Sequence, residues 1–365
     1  MPDTFADFDL KHLADLEAPE RAFLTLYLAG PDSVGALGQT FRSIRALLAG
    51  HEAEAEHFEQ NLKLLDPLLA EASFETPSTV FFVCWALDVA RAFPLTVAVP
   101  DKVWMGDAPY IRPLAELQDE YEDFAVAVVN NTEARVFLVR AAVAHDGQRV
   151  RGDVKNAVKK GGWSQKRYAR RREKELDQYA AEVAEVLTEL HDEKGFARLV
   201  LLGAEEAMRA VEDRLPTPLA DRLVGERAVD VQDEHAVLRE AFTLYFEGER
   251  ASERALWERI REGYLTGGLA VVGAQRTLEA AQAARVEVAL VDRALDAKGT
   301  KCRDCEHTVF GTPRTCQRCG STDLFEVDFA NALTEALART GADVDFADGF
   351  EALSEVGGVG ALLRY

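Results

Sequence analysis

Four cysteines close together restrict this chain more than any other feature. Cys302 and Cys305 form one Cys-x2-Cys pair, Cys316 and Cys319 form a second, and ten residues separate the pairs. Each pair presents two thiolates from one tight knuckle, and Gly320 follows the second. Together they make a closed tetrahedral four-sulfur set, suited to a structural Zn²⁺ with no open position for a reacting water. An iron–sulfur centre is the other chemistry the spacing allows. His307 is a competing ligand by type, but four sulfurs already satisfy the metal. Five cysteines in 365 residues are too few for a secreted disulfide scaffold, and their clustering points to a metal in a reducing compartment. The fifth, Cys84, sits in the apolar run Phe81-Phe82-Val83-Cys84-Trp85 and reads as core packing.

Charge supplies the second constraint. The formal net charge is −21, with acids spread over every segment, which reads either as an ordinary acidic cytosolic protein or, since the acids are not gathered into a tail, as a surface adapted to high salt, a halophilic character. One stretch reverses the sign. From Lys155 to Arg172 there are eight basic residues (Lys155, Lys159, Lys160, Lys166, Arg167, Arg170, Arg171 and Arg172) and no acidic one. Inside the island lies Gly161-Gly162-Trp163-Ser164-Gln165, immediately before a long helical pattern. Lys and Arg in the first turns of a helix oppose its dipole, at a typical cost of a few tenths of a kcal/mol each. An external polyanion therefore explains the island better than helix stability does. Trp163 suits stacking on a base or anchoring of the turn.

The acidic N-terminus lacks a signal-peptide pattern, and the apolar run from Val80 to Ala90 contains Asp88 and is far too short to cross a membrane. A cytoplasmic protein is expected, with no membrane partner and monomeric when free. Hydropathy patterning divides the chain into 1–115, a mixed α/β domain; 116–228, a middle domain with the Gly-Gly-Trp-Ser-Gln loop; and 229–365, an α/β domain with the four-cysteine ribbon at 300–321. The fold class is mixed α/β, or α+β, with three domains. Expected elements are strands over Phe23–Leu28, Val80–Trp85, Leu95–Val99, Ala197–Gly203, Val286–Val291 and Val359–Leu363, and a hairpin from Phe124 to Arg140 turning at Asn130-Asn131. Helices are expected over Val34–Ala49, Ala53–Ala72, Gln165–Leu190, Glu205–Asp213, Val237–Arg261, Ala270–Ala284 and Leu333–Arg339.

With these residues on the page, the chain resembles the archaeal and eukaryotic class-1 peptide chain release factors and their relative Pelota, in three-domain order. The likeness is most specific at Gly267-Gly268-Leu269-Ala270-Val271-Val272-Gly273, at Val286 to Asp292, and at the ending Gly357-Gly358-Val359-Gly360-Ala361-Leu362-Leu363-Arg364-Tyr365. Gly161-Gly162-Trp163-Ser164-Gln165 occupies the place of the family's GGQ loop. The resemblance implies an RNase H-like middle domain and a ribosomal-protein-like C-terminal domain with an inserted zinc ribbon. Two departures matter. The NIKS loop and the YxCxxxF element of stop-codon readers are absent, which marks the first domain as a degenerate decoding domain, and the interrupted glycine–glutamine triplet is similar to that of the Vms/ankyrin-zinc-finger-type peptidyl-tRNA hydrolases.

The implied function is ribosome rescue without stop-codon reading. Its substrate is peptidyl-tRNA on stalled ribosomes or large subunits, and the reaction is hydrolysis of the ester or cleavage of the tRNA 3′ end. Gly161, Gly162 and Gln165 are the catalytic candidates. Lys155, Lys159, Lys160, Trp163, Ser164, Lys166, Arg167, Arg170, Arg171 and Arg172 are the RNA-binding ones. The implied partners are the large ribosomal subunit, peptidyl-tRNA and a translational GTPase or ABC-type recycling ATPase. The alternative is a non-catalytic factor that occupies the tRNA site and uses the loop only for docking.

Overall fold

The computed structural model describes residues 9–140, 143–151, 164–230 and 233–365. A short helix, α1 (Leu10–Ala14), precedes β1 (Phe23–Leu28), whose six residues are all buried. Pro31 then opens α2 (Pro31–Leu47), where its missing N–H costs nothing, and α3 (Glu52–Glu71) runs back beside it. Strands β2 (Ser78–Cys84), β3 (Val89–Leu95) and β4 (Lys102–Gly106) complete an antiparallel sheet of order β3-β2-β1-β4. Leu24, Leu26, Leu28, Phe81 and Val83 face Leu37, Phe58, Leu62 and Leu65 of the two helices. Cys84 is fully buried at the end of β2, and burial pushes its thiol pKa up, as expected of core packing. Helix α4 (Arg112–Glu120) follows. The strand expected over Leu95–Val99 is instead Val89–Leu95. Pro94 disguises it as a break, yet Pro is tolerated because β3 is an edge strand with one face of its backbone unpaired.

The middle segment holds β5 (Phe124–Val129), β6 (Glu133–Arg140), β7 (Val143–Arg151), α5 (Ser164–Lys194), β8 (Arg198–Gly203), α6 (Glu205–Glu212), α7 (Thr217–Ala220) and β9 (Leu223–Arg227). The sheet order is β7-β6-β5-β8-β9. The first three strands form an antiparallel meander, while β8 and β9 add parallel to β5. Numbered within the segment this is 3-2-1-4-5, the RNase H-like arrangement. The strands are apolar on both faces because both are covered. Ala125, Ala127 and Val129 pack on Leu176, Tyr179, Val183 and Leu187 of α5. Phe124, Val126 and Val128 pack on Val237, Ala241, Leu244 and Tyr245 of α8 (Glu234–Leu265).

Strand β10 (Ala270–Val272), α9 (Ala274–Gln282), β11 (Val286–Asp292), β12 (Lys298–Cys302), β13 (Thr308–Phe310), β14 (Leu324–Asp328), α10 (Phe329–Thr340), β15 (Asp343–Ala347), α11 (Glu351–Glu355) and β16 (Val359–Leu363) follow. The larger sheet has order β10-β16-β11-β15, and β13-β12-β14 is the cysteine ribbon. Where one helix is expected over Ala270–Ala284, the chain forms β10, breaks at Gly273 and then starts α9. Ala270, Val271 and Val272 are captured by pairing with Leu362, Ala361 and Gly360, a long-range contact that overrides local helical spacing. No helix among the described residues is long and apolar enough to cross a membrane.

The chain forms two compact units, Tyr121–Arg254 and a second that joins Met1–Glu120 to Ala255–Tyr365. In the second, Ala115 of α4 lies in one apolar cluster with Leu278, Phe329, Leu333, Leu337 and Phe346, so the first segment shares a core with the last.

In the middle unit, Gly203 ends β8 at φ +127°, and a Cβ there would lie 1.9 Å from the Val129 carbonyl oxygen. Gly203→Ala is expected to lower the stability of that unit by about 2–4 kcal/mol, from backbone strain plus overpacking. Urea denaturation followed by amide exchange in β5 and β8 measures it, and a change below about 0.5 kcal/mol, the range of an ordinary surface substitution, would contradict the packing.

Candidate metal centre and nucleic-acid interface

The ribbon builds the two cysteine pairs as near copies. In the first knuckle the Cys302 N–H donates to the His307 carbonyl at 3.0 Å and the Glu306 N–H to Cys302 at 2.8 Å. In the second the Cys316 N–H donates to Ser321 at 2.8 Å and the Gly320 N–H to Cys316 at 2.9 Å. Both turns end in the left-handed region, with φ +59° at Glu306 and +78° at Gly320. Gly320 adopts it freely, whereas Glu306 carries a Cβ penalty.

The four sulfurs all lie within 4.8 Å of one another, with Cys302 to Cys319 and Cys305 to Cys316 each at 3.6 Å. A tetrahedron of 2.3 Å metal–sulfur bonds has edges of about 3.8 Å, so the donor set fits a metal ion. The N–H groups of Cys319 and Arg318 are directed at the Cys316 thiol and hold its pKa down, while the Cys319 thiol, although the Ser321 N–H pulls it down, is pushed up by its contact with Cys305, so the crowded sulfurs concentrate thiolate character on Cys316. His307 is outside the cluster.

Two of the ribbon's basic residues, Arg303 and Lys301, are engaged, whereas Arg314 and Arg318 are exposed. Arg303, between Cys302 and Cys305, pairs with Glu54 of α3 at 3.2 Å and with Asp323 at 3.3 Å, and its guanidinium lies 4.7 Å from the Phe325 ring centre. Lys301 reaches Asp107 at 2.5 Å and Glu17 at 3.4 Å. A polar cavity of about 120 Å³ opens beside it, lined among others by Asp107, Asn331, Glu335 and Arg339. Burial, and then the charge of Asp107, push the Glu335 carboxyl up to about 8 although Lys301 and Arg339 pull it down; the Asn331 amide donates to it at 2.5 Å.

Of the basic island, Lys155, Lys159, Lys160, Gly161, Gly162 and Trp163 lie outside the described residues. Ser164, Gln165, Lys166 and Arg167 form the first turns of α5, their side chains likewise outside the description. The helix therefore begins inside the glycine motif. Arg170 is exposed and, among the described residues, has no ionic partner. Arg171 pairs with Glu175 one turn along at 2.8 Å, and Arg172 pairs with Glu206 at the start of α6. Such exposed pairs contribute about 0.2–1 kcal/mol each, so a phosphate can displace them. Glu175 and Glu206 are the partners that composition did not reveal. Glu175 is findable as an i,i+4 acid, but Glu206 comes from another helix and left no signal in the sequence.

Residues 109–244 match the family described as bacterial archaeo-eukaryotic release factor family 10. Peptide chain release factor subunit 1 of Thermococcus kodakarensis is 24% identical over 287 residues, covering 70% of this chain and 69% of that protein. The protein of the same name from Methanopyrus kandleri is 26% identical over 206 residues, covering 54% and 50%. Among solved structures, Archaeoglobus fulgidus Pelota aligns over 100% of this chain and 93% of that chain, with 13% identity and a TM-score of 0.34. These comparisons make the chain similar to the class-1 peptide chain release factors, with the family match confined to residues 109–244.

Two outcomes follow from the geometry. Glu306→Gly is expected to relieve about 1 kcal/mol of left-handed strain and to slow metal loss to a competing chelator several-fold; faster loss would contradict the knuckle. For Glu335 the folded carboxyl titrates near 8 and the unfolded one near its ordinary 4.5. Its contribution is therefore full below about pH 4.5, falls as pH rises, and levels off above about 8. Glu335→Gln is expected to remove that fall, so that its stability gains on the wild type between pH 5 and 8 in thermal unfolding. Parallel curves over that range would rule out the raised carboxyl.

Proposed function

We propose that this relative of the class-1 release factors acts on peptidyl-tRNA held by stalled ribosomes or large subunits, as a cytoplasmic rescue factor that does not read stop codons. One observation carries the reading. The basic island from Lys155 to Arg172 leads into the start of α5 on an RNase H-like sheet, within the segment that matches a release-factor family.

In this reading Lys155, Lys159, Lys160, Lys166, Arg167 and Arg170 neutralise phosphates of the tRNA acceptor stem and ribosomal RNA. Arg171 and Arg172 join them by leaving Glu175 and Glu206. Gly161 and Gly162 permit a backbone path close to RNA, with Trp163 and Ser164 beside them. Gln165 orients a water on the ester carbonyl between peptide and tRNA, or assists the 2′-OH in cleavage near the 3′ end, while ribosomal RNA supplies the rest of the reaction centre. The four-cysteine centre holds Zn²⁺ in a structural role, since a closed sulfur set leaves no position for substrate. A translational GTPase or an ABC-type recycling ATPase is the protein partner that such a factor requires.

The test is release from defined stalled ribosome–peptidyl-tRNA complexes. Wild-type protein is expected to free the peptide, leaving either intact or shortened tRNA, and Gln165→Ala to slow this about 100-fold, the scale on which one positioned hydrogen-bonding group counts. Release that persists unchanged in the variant removes Gln165 from the chemistry. Absence of release with the wild type, together with retained ribosome binding, leaves the docking function.

A further inference from the structure

Several sets of contacts fasten the first segment of the chain to the last, and two of them differ in how they relate to the cysteine ligands. One set is centred on Asn331 and Arg112. Asn331 Oδ1 accepts the backbone N–H groups of Ile111 and Arg112 at 2.9 and 3.1 Å, and the Arg112 guanidinium donates to the carbonyls of Leu295 and Arg293 at 2.7 and 2.6 Å. Tyr110 adds a hydrogen bond to Asp328 at 2.9 Å. None of these residues lies in a cysteine knuckle.

The other set runs through the first knuckle. Glu54 projects from α3 with only 6% of its side chain exposed, and its two carboxylate oxygens meet Arg303 at 3.2 Å and Arg21 at 3.4 Å. Both guanidinium groups lie over the ring of Phe325 on β14, at 4.7 and 5.9 Å. Arg303 is two residues from one sulfur ligand and adjacent to the other. The chain from Arg303 to Cys305 forms no helix or strand, so its path is set by the flanking sulfurs of Cys302 and Cys305, by the Arg303 N–H donating to the Asp323 carbonyl at 3.1 Å and by the Glu306 N–H donating to Cys302. A nearly buried carboxylate is tolerable only while its partners stay in place.

We propose that the metal centre is a latch. With the ion bound, the first knuckle presents Arg303 to Glu54 and holds α3 on the ribbon. Without it, Arg303 loses its fixed position, Glu54 is left buried beside Arg21 alone, and α3 comes away while the Asn331 and Arg112 contacts keep α4 docked. This device is independent of the reaction proposed at the glycine motif, and failure of either leaves the other standing.

The test uses the full chain reconstituted with zinc, with amide exchange measured by mass spectrometry before and after EDTA. Chelation is expected to speed exchange in Glu52–Leu65 by about tenfold or more, as a locally opened segment does. Exchange in Ile111–Glu120 and Val286–Asp292 is expected to stay as it was. Arg303→Ala is expected to keep one zinc per chain and to speed exchange in Glu52–Leu65 even when zinc is bound. Three results would overturn the latch: a chain that takes up no zinc, exchange in Glu52–Leu65 that ignores both treatments, or acceleration of Val286–Asp292 in step with it, which would make the ion a requirement of the whole fold.

Discussion

Convergence of four sulfur atoms within 4.8 Å of one another is the constraint on which the ribbon, and the seating of α3 against it, depends. It bends two knuckles into matching turns and fixes the ends of β12 and β14. Through Arg303 and Lys301 it sends two cations toward acids of the first segment, Glu54, Asp107 and Glu17. Without that convergence the ribbon has only a three-stranded sheet of short strands, and a module of fewer than about 40 residues buries too little apolar surface to be stable by itself. A metal–sulfur centre supplies folding energy that such a small module lacks.

The middle unit depends on a different interaction, the parallel pairing of β5 with β8 from Phe124–Arg198 to Val129–Gly203. This pairing joins the meander to the parallel strands and carries α5 and α6 onto one face. The basic start of α5 is consequently anchored by the apolar remainder of the same helix, from Leu176 to Leu187, in a buried core. Burial of one such side chain contributes about 1.5–3 kcal/mol, against a few tenths for each unfavourable dipole contact at the helix start. The core therefore tolerates a row of positive charge that an isolated helix would resist.

Much of this was legible in the residues. The apolar face of α5, the two-sided strands Phe124–Val129 and Arg198–Gly203 and the cysteine spacing are local patterns whose physical cause is also local. The illegible parts share a different cause. Strand β10 exists because β16 pairs with it, and β3 survives Pro94 because it lies on an edge. Strand β15, with charged Asp343 and Asp345, carries no apolar run and is a strand because it extends β11 in parallel. At the candidate site, the cations were visible as a cluster, but the pairing of Arg172 with Glu206 and of Arg303 with Glu54 joins residues far apart in the chain.

Sequence alone determined the four-cysteine donor set, the basic island and the element types of the long periodic segments, because cysteine spacing, charge and helical period act over a few residues. Tertiary structure alone decided that the first and last segments share one core, that Glu54 is buried between two arginines, and that Arg303 and Lys301 of the ribbon meet acids of the first segment. Those outcomes depend on which surfaces meet after collapse. An acidic residue reads the same in sequence whether it ends in water or against a guanidinium, and only the surrounding core settles which.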